Sequence, residues 1–302
     1  MITKGQFEKL IGEKLFEKDG KLIYDGDFDL YNCYHITDLP DNLKVLGFLY
    51  LSNSSITKLP KSLEVRDELI ITETNIEELP EDTKFGSLYA CNMYKPFSFP
   101  KVVTVSVDLW CENTTIKRMP KELYVNGSCS FSESKFNKLP NIMEVENTLH
   151  LKYCNKKEIA KRLVVGCELD LQYVNLKDYS NLHKICTRFI VDGRKYDKIK
   201  KNLPKHWEKS FWGDVCVTFL PNYKGSYLFE NENGRYIKVD DIFGKIVEQE
   251  DNVFHIRLGR NEKITYLVTD GKCHWSYGNT LEEAKDDLIN KVNKMYDGFI
   301  II

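Results

Sequence analysis

A unit of 20 residues recurs through the first two thirds of this chain of 302 residues. It is marked by prolines, each preceded by an apolar residue, at Pro40, Pro60, Pro80, Pro100, Pro120 and Pro140. A unit this short cannot bury its apolar side chains alone, so successive units must stack and share one continuous core. The repeat therefore predicts a solenoid. Because every turn is short and contains a proline, no helix fits on its back, which should be extended or turn-like.

Each unit contains a short run in which apolar and polar residues alternate, as in Leu49, Tyr50 and Leu51. Such alternation is typical of a strand with one buried face, and strands of successive turns should pair in a parallel sheet. In two units, at residues 26–32 and 86–92, the apolar pair comes one residue early. We expect a shorter turn before these strands, because a slip of one residue would otherwise expose the apolar side chains. Small hydroxyl residues, suited to bonding backbone groups where the chain turns, follow the strands at Ser54, Thr74, Thr114 and Ser134.

The string V-x-G-x-L-x-L-x-x-S-x-I-x-x-L-P, which spans residues 45–60, resembles the short leucine-rich repeats of bacterial and phage proteins. The resemblance covers about residues 25–191. It implies a leucine-rich-repeat solenoid of parallel strands without back helices, which serves as a binding scaffold. It does not specify the partner, because such repeats bind very different molecules on one frame.

Apolar residues at helical spacing, namely Phe7, Leu10, Ile11 and Leu15, predict an amphipathic helix over about residues 3–18. Since a terminal repeat exposes an open core edge, this helix should cap the solenoid. We therefore divide the chain into a capping helix at 1–20, a solenoid at 21–192, a basic and aromatic junction at 193–212 and a small α+β domain at 213–302.

The C-terminal part has the pattern of a small antiparallel sheet with one helix. Turn residues at 233–234, 250–252 and 270–271 separate strand-like runs and predict three hairpins. Thr280 and Glu283 form a capping box for a helix that continues to about residue 295. Its predicted buried stripe consists of Leu281, Ala284, Leu288, Ile289 and Val292.

The strings NGRYIKVDDIF, GKIVEQEDNVFHIRLG and YLVTDGKCHWSYGNTLEEAKDDLINKV in this tail resemble a terminal module of phage and mobile-element proteins. The resemblance covers about the last 75 residues. It implies that the protein is encoded by a phage or mobile element, and it implies no particular activity.

Charge and hydropathy favour a cytoplasmic protein, in the host cytoplasm if it is phage encoded. Lys and Arg number 43 against 45 Asp and Glu, so no global field attracts nucleic acid or membrane. No apolar run is long enough to span a bilayer, and the N-terminus has no signal-peptide apolar segment. We expect the nine cysteines to be free thiols in a reducing compartment, most of them buried.

Motifs for catalysis, metals or cofactors are missing. There is no Gly-rich phosphate loop, no HExxH and no GxSxG, and no cysteine has the Cys-x-Asp setting of bacterial leucine-rich ubiquitin ligases. Cys273 and His274 are adjacent in a predicted strand, where neighbouring side chains point to opposite faces, so we expect no nucleophile and base pair. The acidic residues around Asp240 match no metal-binding loop and predict a solvated turn. We assign no catalytic residue, metal or cofactor.

The outward side chains of the strands should form a column on the front of the solenoid, the side of the strand sheet that faces away from the core. Tyr50, Ile70, Tyr89 and Trp110 occupy consecutive rungs of this column and predict an apolar stripe, with Glu68 beside it. Aromatic side chains of this kind dominate binding at protein interfaces. The predicted protein-binding residues of the stripe and its largely acidic rim are Phe48, Tyr50, Ile70, Tyr89, Asp108, Trp110, Glu112 and His150. Alternatively, the N-terminal helix or the C-terminal domain folds over the stripe and buries it.

The junction is the most basic part of the chain, and it ends in Trp207, Phe211 and Trp212. A basic segment flanked by aromatic residues can hold phosphates or single-stranded nucleic acid. The candidate contacts are Arg194, Lys195, Lys198, Lys201 and Lys205. The alternative is a solvated helix face whose aromatic residues seal a domain junction.

These features favour a non-enzymatic protein-protein interaction protein that binds a host or competitor protein, as an inhibitor or in counter-defence. The tail would be a second contact or a homo-oligomerisation unit. A nucleic-acid-associated protein that uses the junction is one alternative. An enzyme with a site in the C-terminal domain, lined by His255 or His274 with carboxylates, is another.

Overall fold

The computed structural model describes residues 2–155, 157–160, 162–220, 222, 224–231, 233–259 and 263–297. In this part, the chain forms a parallel β-solenoid of about eight turns, followed by an antiparallel sheet. It divides into two compact units, which we describe in turn. The first contains Met1–Val145, Leu149–Leu163 and Asp170–Asp178, and the second contains Glu146–Thr148, Val164–Leu169 and Tyr179–Ile302.

The solenoid begins with helix α1 (Lys4–Ile11) and continues in short strands. These are β1 (Phe16–Lys18), β2 (Lys21–Tyr24), β3 (Phe28–Asp29), β4 (Leu43–Val45), β5 (Leu49–Tyr50), β6 (Glu64–Val65), β7 (Glu68–Ile70), β8 (Ser87–Tyr89), β9 (Phe97–Ser98), β10 (Val102–Val105), β11 (Leu109–Trp110), β12 (Ile116–Arg118), β13 (Glu122–Val125), β14 (Cys129–Ser130), β15 (Ile142–Val145), β16 (Thr148–His150), β17 (Arg162–Val165) and β18 (Glu168–Asp170).

Helix α1 is shorter than the predicted helix over 3–18. Thr3 and Gln6 form a capping box at its start, and Gly12 ends it with a φ of 74° in the left-handed region. Residues 16–24 form a hairpin of β1 and β2 instead, because Asp19 and Gly20 both adopt positive φ and turn the chain back. Of the apolar residues that predicted one long helix, Phe7, Leu10 and Ile11 lie in α1, whereas Leu15 lies between α1 and β1.

The capping role of this segment is visible in its packing. Phe7 of α1 is fully buried, and its ring meets that of Phe28 edge to face at 5.9 Å. Leu15 is also buried, although it lies outside the helix. Because Phe28 is an inward residue of the first front strand, this contact closes the open end of the core.

The front sheet of the first unit is parallel and follows the repeat. Its strand order is β3, β5, β7, β8, β11, β14 and β16. Leu49 and Leu69 are paired and fully buried, and Leu69 pairs in turn with Leu88. The early apolar pairs in the two shifted units are also buried, including Leu88 and Ala90. The predicted slips of one residue are therefore confirmed.

The back of the solenoid is made of short strands and turns. Strands β2, β4 and β6 pair in parallel, and so do β10, β13 and β15. In the described part of residues 21–181, no residue lies in a helix. This confirms the extended back, which follows from the short repeat and its prolines.

Polar ladders hold the turns after the front strands. The residues just past these strands adopt positive φ at Asn32, Asn53, Glu73, Asn92, Asn113, Glu133, Tyr153 and Tyr173. Hydroxyls one residue further on are buried and bond backbone carbonyls, as Thr114 does to Ala90 at 3.0 Å and Ser134 does to Cys111 at 2.7 Å. The predicted role of these hydroxyl residues is therefore confirmed.

The second unit continues after a 3₁₀ helix at Leu182–Lys184 with β19 (Arg188–Asp192), α2 (Gly193–Ile199), β20 (Glu208–Trp212), β21 (Val215–Phe219), β22 (Tyr227–Asn231), β23 (Gly234–Val239), β24 (Ile242–Glu250), β25 (Val253–Arg257), β26 (Ile264–Thr269), β27 (Trp275–Gly278) and α3 (Leu281–Asp297). Strand β21 lies between β19 and β20 and is antiparallel to both. Strand β21, which follows the predicted boundary at residue 213, therefore pairs with strands that precede that boundary. The C-terminal sheet begins at β22.

Strands β22 to β27 form an antiparallel sheet in chain order, and all three predicted hairpins are present. Its core includes Ile237, Ile256 and Leu267. Helix α3 begins at the predicted capping box, where Thr280 and Glu283 exchange hydrogen bonds. The predicted buried stripe is wrong at Ile289, which is 56% exposed.

Within the second unit, this sheet packs against the segments at 146–148 and 164–169. The backbone N–H of Phe243 donates to Glu146 Oε1 at 3.1 Å, and Lys238 Nζ donates to Asn147 Oδ1 at 3.0 Å. Val164 and Phe243 belong to one buried cluster. Burial raises the pKa of Glu146 and lowers the pKa of Lys238, so desolvation opposes the charges of this neighbouring pair.

Candidate functional site

The predicted front column is present in the first unit. Tyr50 is aligned with Ile70, and Ile70 is aligned with Tyr89 in the next strand. Trp110 is aligned with Tyr89 on one side and with Ser130 on the other. The repeat places these side chains one above another because each turn returns the same strand position to the same face.

Two ring contacts extend the stripe. Tyr31, which is 48% exposed, stacks on Tyr50 with ring centroids 5.2 Å apart. Trp110 stacks on His150 at 6.0 Å, across the small side chain of Ser130. The ring contacts therefore reach the predicted residue His150 at one end of the stripe and add Tyr31, which was not predicted, at the other.

The stripe is open to solvent. Tyr50, Ile70, Tyr89 and Trp110 are each partly exposed. Helix α1 directs its buried ring, Phe7, to the inner core at the end of the solenoid. Within the first unit, partial exposure of all four side chains disfavours the alternative in which the N-terminal helix buries them.

The rim carboxylates are held by neighbouring rungs. Asp108 Oδ1 accepts from the N–H of Ser128 at 2.6 Å, and Glu112 Oε1 accepts from the hydroxyl of Ser130. His150 Nδ1 lies 3.6 Å from Asp170 Oδ2. These bonds fix negative charge beside the aromatic stripe.

Phe48 of the predicted rim is partly exposed. Its N–H donates to Asp27 Oδ1 at 3.1 Å, so the previous rung positions its backbone. The residue thus adds apolar surface to the same face.

A pocket of about 520 Å³ lies on the front between Tyr31, Tyr50 and Tyr89. Ile70 also lines it, and polar groups come from Ser52, Glu68, Thr72 and Glu73. Burial raises the pKa of Tyr89, and the charges of Glu68 and Asp108 raise it further. The phenol therefore remains protonated and acts as a donor near these carboxylates.

Sequence reasoning missed two features of this face. One is Tyr31, which belongs to one of the two shifted units and whose ring stacks on that of Tyr50. Tyr153 and Tyr173 stack in parallel with centroids 4.3 Å apart, and each is 50% exposed. The signal for this second pair was present, since the two tyrosines stand one repeat apart.

The basic junction is divided between helix α2 and the edge strand β20. Arg194, Lys198, Lys201 and Lys205 are exposed. The side chain of Lys195, in contrast, is only 16% exposed, and its Nζ lies 3.3 Å from the hydroxyl of Tyr179.

The aromatic residues of the junction have different environments. The rings of Trp207 and Phe189 pack with their centroids 5.6 Å apart, as expected of an aromatic residue with a structural role. Phe211 and Trp212 are 48% and 71% exposed on β20. Part of the junction is therefore structural and part is free surface.

Cys273, His274 and Asp270 come together in the C-terminal unit. Cys273 Sγ lies 3.8 Å from His274 Nε2, and His274 Nδ1 lies 2.6 Å from Asp270 Oδ2. The expectation that adjacent residues point apart was wrong, because β27 begins at Trp275 and both residues lie in the preceding turn.

Burial alone would raise the pKa of Asp270. Hydrogen bonds from the His274 ring and from the N–H groups of Lys272 and His274 lower it to about 2. The carboxylate is thus charged at neutral pH and orients the imidazole ring. The exposed Cys273 thiol therefore lies beside an oriented imidazole, and these contacts alone do not form a substrate site.

Other site classes find no support in the described residues. No three His, Cys, Asp or Glu side chains are grouped to hold a metal ion there. None of the helices in the described ranges has the length and apolar composition needed to cross a membrane. All nine cysteines are free thiols.

No protein-family profile, curated protein sequence or solved structure matches this chain.

Proposed function

We propose that this chain is a non-enzymatic protein that binds a protein partner on the front of its solenoid. The observation that carries the proposal is the continuous, partly exposed apolar stripe Tyr50, Ile70, Tyr89 and Trp110 on consecutive rungs, together with the ring of Tyr31 that stacks on Tyr50. Such side chains supply large contact areas at low cost in conformational entropy, and they dominate the energetics of protein interfaces.

The front column runs along several turns of the solenoid. From Tyr50 to His150 it crosses five strand spacings, or about 24 Å. A column of this length can carry several of the anchor side chains on which a specific protein-protein interface depends. The surrounding carboxylates supply the polar rim that such interfaces have.

We extend the proposal to a biological role. The resemblance of the repeats and tail to phage and mobile-element proteins supports a leucine-rich-repeat protein that blocks or recruits a host or competitor protein in the cytoplasm. The free thiols agree with a reducing compartment.

The test is an affinity pull-down from bacterial lysate. Wild type is compared with a Tyr50→Ala, Trp110→Ala double variant and with Thr104→Ala, which changes an exposed residue on the back. A protein retained by wild type and Thr104→Ala but lost by the double variant supports the proposal. Equal retention by all three, with unchanged circular dichroism, contradicts it.

A second candidate function is binding of single-stranded nucleic acid at the junction. The exposed rings of Phe211 and Trp212 beside lysines favour it, because bases stack on aromatic rings near cationic groups. This function predicts that binding of an oligonucleotide collapses between about 50 and 200 mM salt and is lost on Trp212→Ala. Salt-insensitive capture of a protein partner after nuclease treatment contradicts it.

A further inference from the structure

The pocket between Tyr50 and Tyr89 is negatively charged. Glu68 and Glu73 line it, and no lysine or arginine does. Neither carboxylate forms an ion pair with a residue in the described ranges. The pocket therefore lacks a positive group that would balance its charge.

Ser52 provides an independent observation. It is only 4% exposed, lines the same pocket, and its hydroxyl has no hydrogen-bond partner among the described residues. The equivalent Thr72 on the next rung donates to the Tyr89 carbonyl at 3.5 Å and accepts from the N–H of Cys91 at 3.4 Å. A buried hydroxyl without a partner is costly, so the front face keeps an unsatisfied polar group beside this pocket.

The walls of the pocket are aromatic. Tyr31 stacks on Tyr50, which restricts the orientation of that ring, and Tyr89 lies across Ile70. The faces of aromatic rings attract cations, and a planar guanidinium stacks on them. Glu68 lines the pocket together with Tyr89, and its charge helps to raise the pKa of the Tyr89 phenol.

We propose that this pocket binds an arginine side chain of the partner protein. The guanidinium lies between the rings of Tyr50 and Tyr89 and donates to the carboxylates of Glu68 and Glu73. Arginine fits better than lysine because its five N–H groups lie in one plane and match several separated acceptors. The inference rests on the proposed function, since it names the chemistry that the front face recognises.

The test is an NMR titration of the full chain with Nα-acetyl-arginine N-methylamide. The neutral control ligand is the corresponding citrulline compound, which has the same shape without the charge. We expect progressive shifts of the amide signals of Ser52, Ile70 and Tyr89 with the arginine compound, and none with citrulline. Equal shifts with both compounds, or none with arginine, overturn the inference.

Variants localise the effect. Glu68→Gln and Glu73→Gln should each weaken binding of the arginine compound, the former by about tenfold or more. Glu77→Gln, which removes an exposed carboxylate outside the pocket, should leave it unchanged. Undisturbed signals elsewhere in the spectrum show that each variant is folded. Full affinity in both pocket variants contradicts the proposed contacts.

The inference and the proposed function fail separately. If a partner is lost on Tyr50→Ala, Trp110→Ala but is unaffected by Glu68→Gln, the front is an interface and the arginine pocket is refuted. If the arginine compound binds as predicted but the double variant retains every captured protein, the pocket stands and the proposed interface is refuted.

Discussion

Glu64 should be the most important carboxylate for the stability of the first turns. It lies on the back of the solenoid, where the repeat aligns it with Lys44 and Lys84 on the neighbouring rungs. The Nζ atoms of Lys21, Lys44 and Lys84 lie 3.3, 3.3 and 3.2 Å from its carboxylate, which is only 19% exposed. Three cations therefore share one anion.

The pKa of Glu64 sets the magnitude. Burial alone would raise it, but hydrogen bonds from Lys84, Lys44 and Lys21 lower it from 4.5 to about 2. At 1.36 kcal/mol per pKa unit, this shift corresponds to at most about 3 kcal/mol. Because Lys84 is 76% exposed and Lys44 is 38% exposed, we reduce the expected contribution to about 1–2 kcal/mol for solvent screening.

Glu64→Gln should therefore lower the midpoint of thermal unfolding of the first unit by about 3–6 °C at pH 7, measured by scanning calorimetry. A carboxylate with a lowered pKa stabilises the fold above its unfolded pKa, and this stability is lost as the pH falls from about 4.5 to 2. The difference between wild type and Glu64→Gln should consequently shrink at pH 3.

The control is Glu77→Gln, which removes a carboxylate from a single exposed pair with Lys95 and should leave the midpoint unchanged. An equal midpoint for wild type and Glu64→Gln at pH 7 would refute the reasoning. So would a difference that is the same at pH 7 and pH 3.

Three further predictions concern packing and reactivity. Gly127→Ala should destabilise the solenoid by about 1–3 kcal/mol in urea unfolding, since the added Cβ would lie 2.5 Å from the Val107 carbonyl oxygen. The control is Gly5→Ala, where the added Cβ meets nothing within 4 Å; this variant should be neutral or stabilising. Phe7→Ala should cost about 3–5 kcal/mol and speed hydrogen exchange in the first strands, because it empties a fully buried site; unchanged exchange there would show that α1 is not the cap. Cys273 is the one exposed thiol of the nine, so limiting iodoacetamide should label it first in mass spectrometry, and prior labelling of another cysteine would contradict this assignment.

The core and the front column could be predicted because the period of the repeat determines which residues lie next to each other in successive turns. Leu49 and Leu69 had to meet once the strands paired, and Tyr50 and Ile70 followed on the opposite face. The early apolar pair at Leu88 was readable for the same reason. Local patterns also sufficed for the three hairpins and for the capping box of α3.

The remaining features depend on conformations or partners that a local pattern does not contain. Helix α1 ends early because Gly12 adopts a positive φ. Strand β21 pairs with β19, although α2 and β20 separate the two strands in the sequence. The contact between Cys273 and His274 requires a turn where alternation predicted a strand. That the hydroxyl of Ser52 is left unpaired depends on its distances from every neighbour, so only the three-dimensional arrangement shows it.

The central claim is that a partner protein lies on the front of the solenoid, and site-specific photo-crosslinking tests it most directly. The photoreactive residue p-benzoylphenylalanine replaces Tyr31, an exposed ring on the front, or Thr104, an exposed position on the back. After irradiation in bacterial lysate, we predict a crosslinked protein from position 31 that is absent from position 104. The same crosslinked protein from both positions, or one from position 104 alone, would contradict the claim.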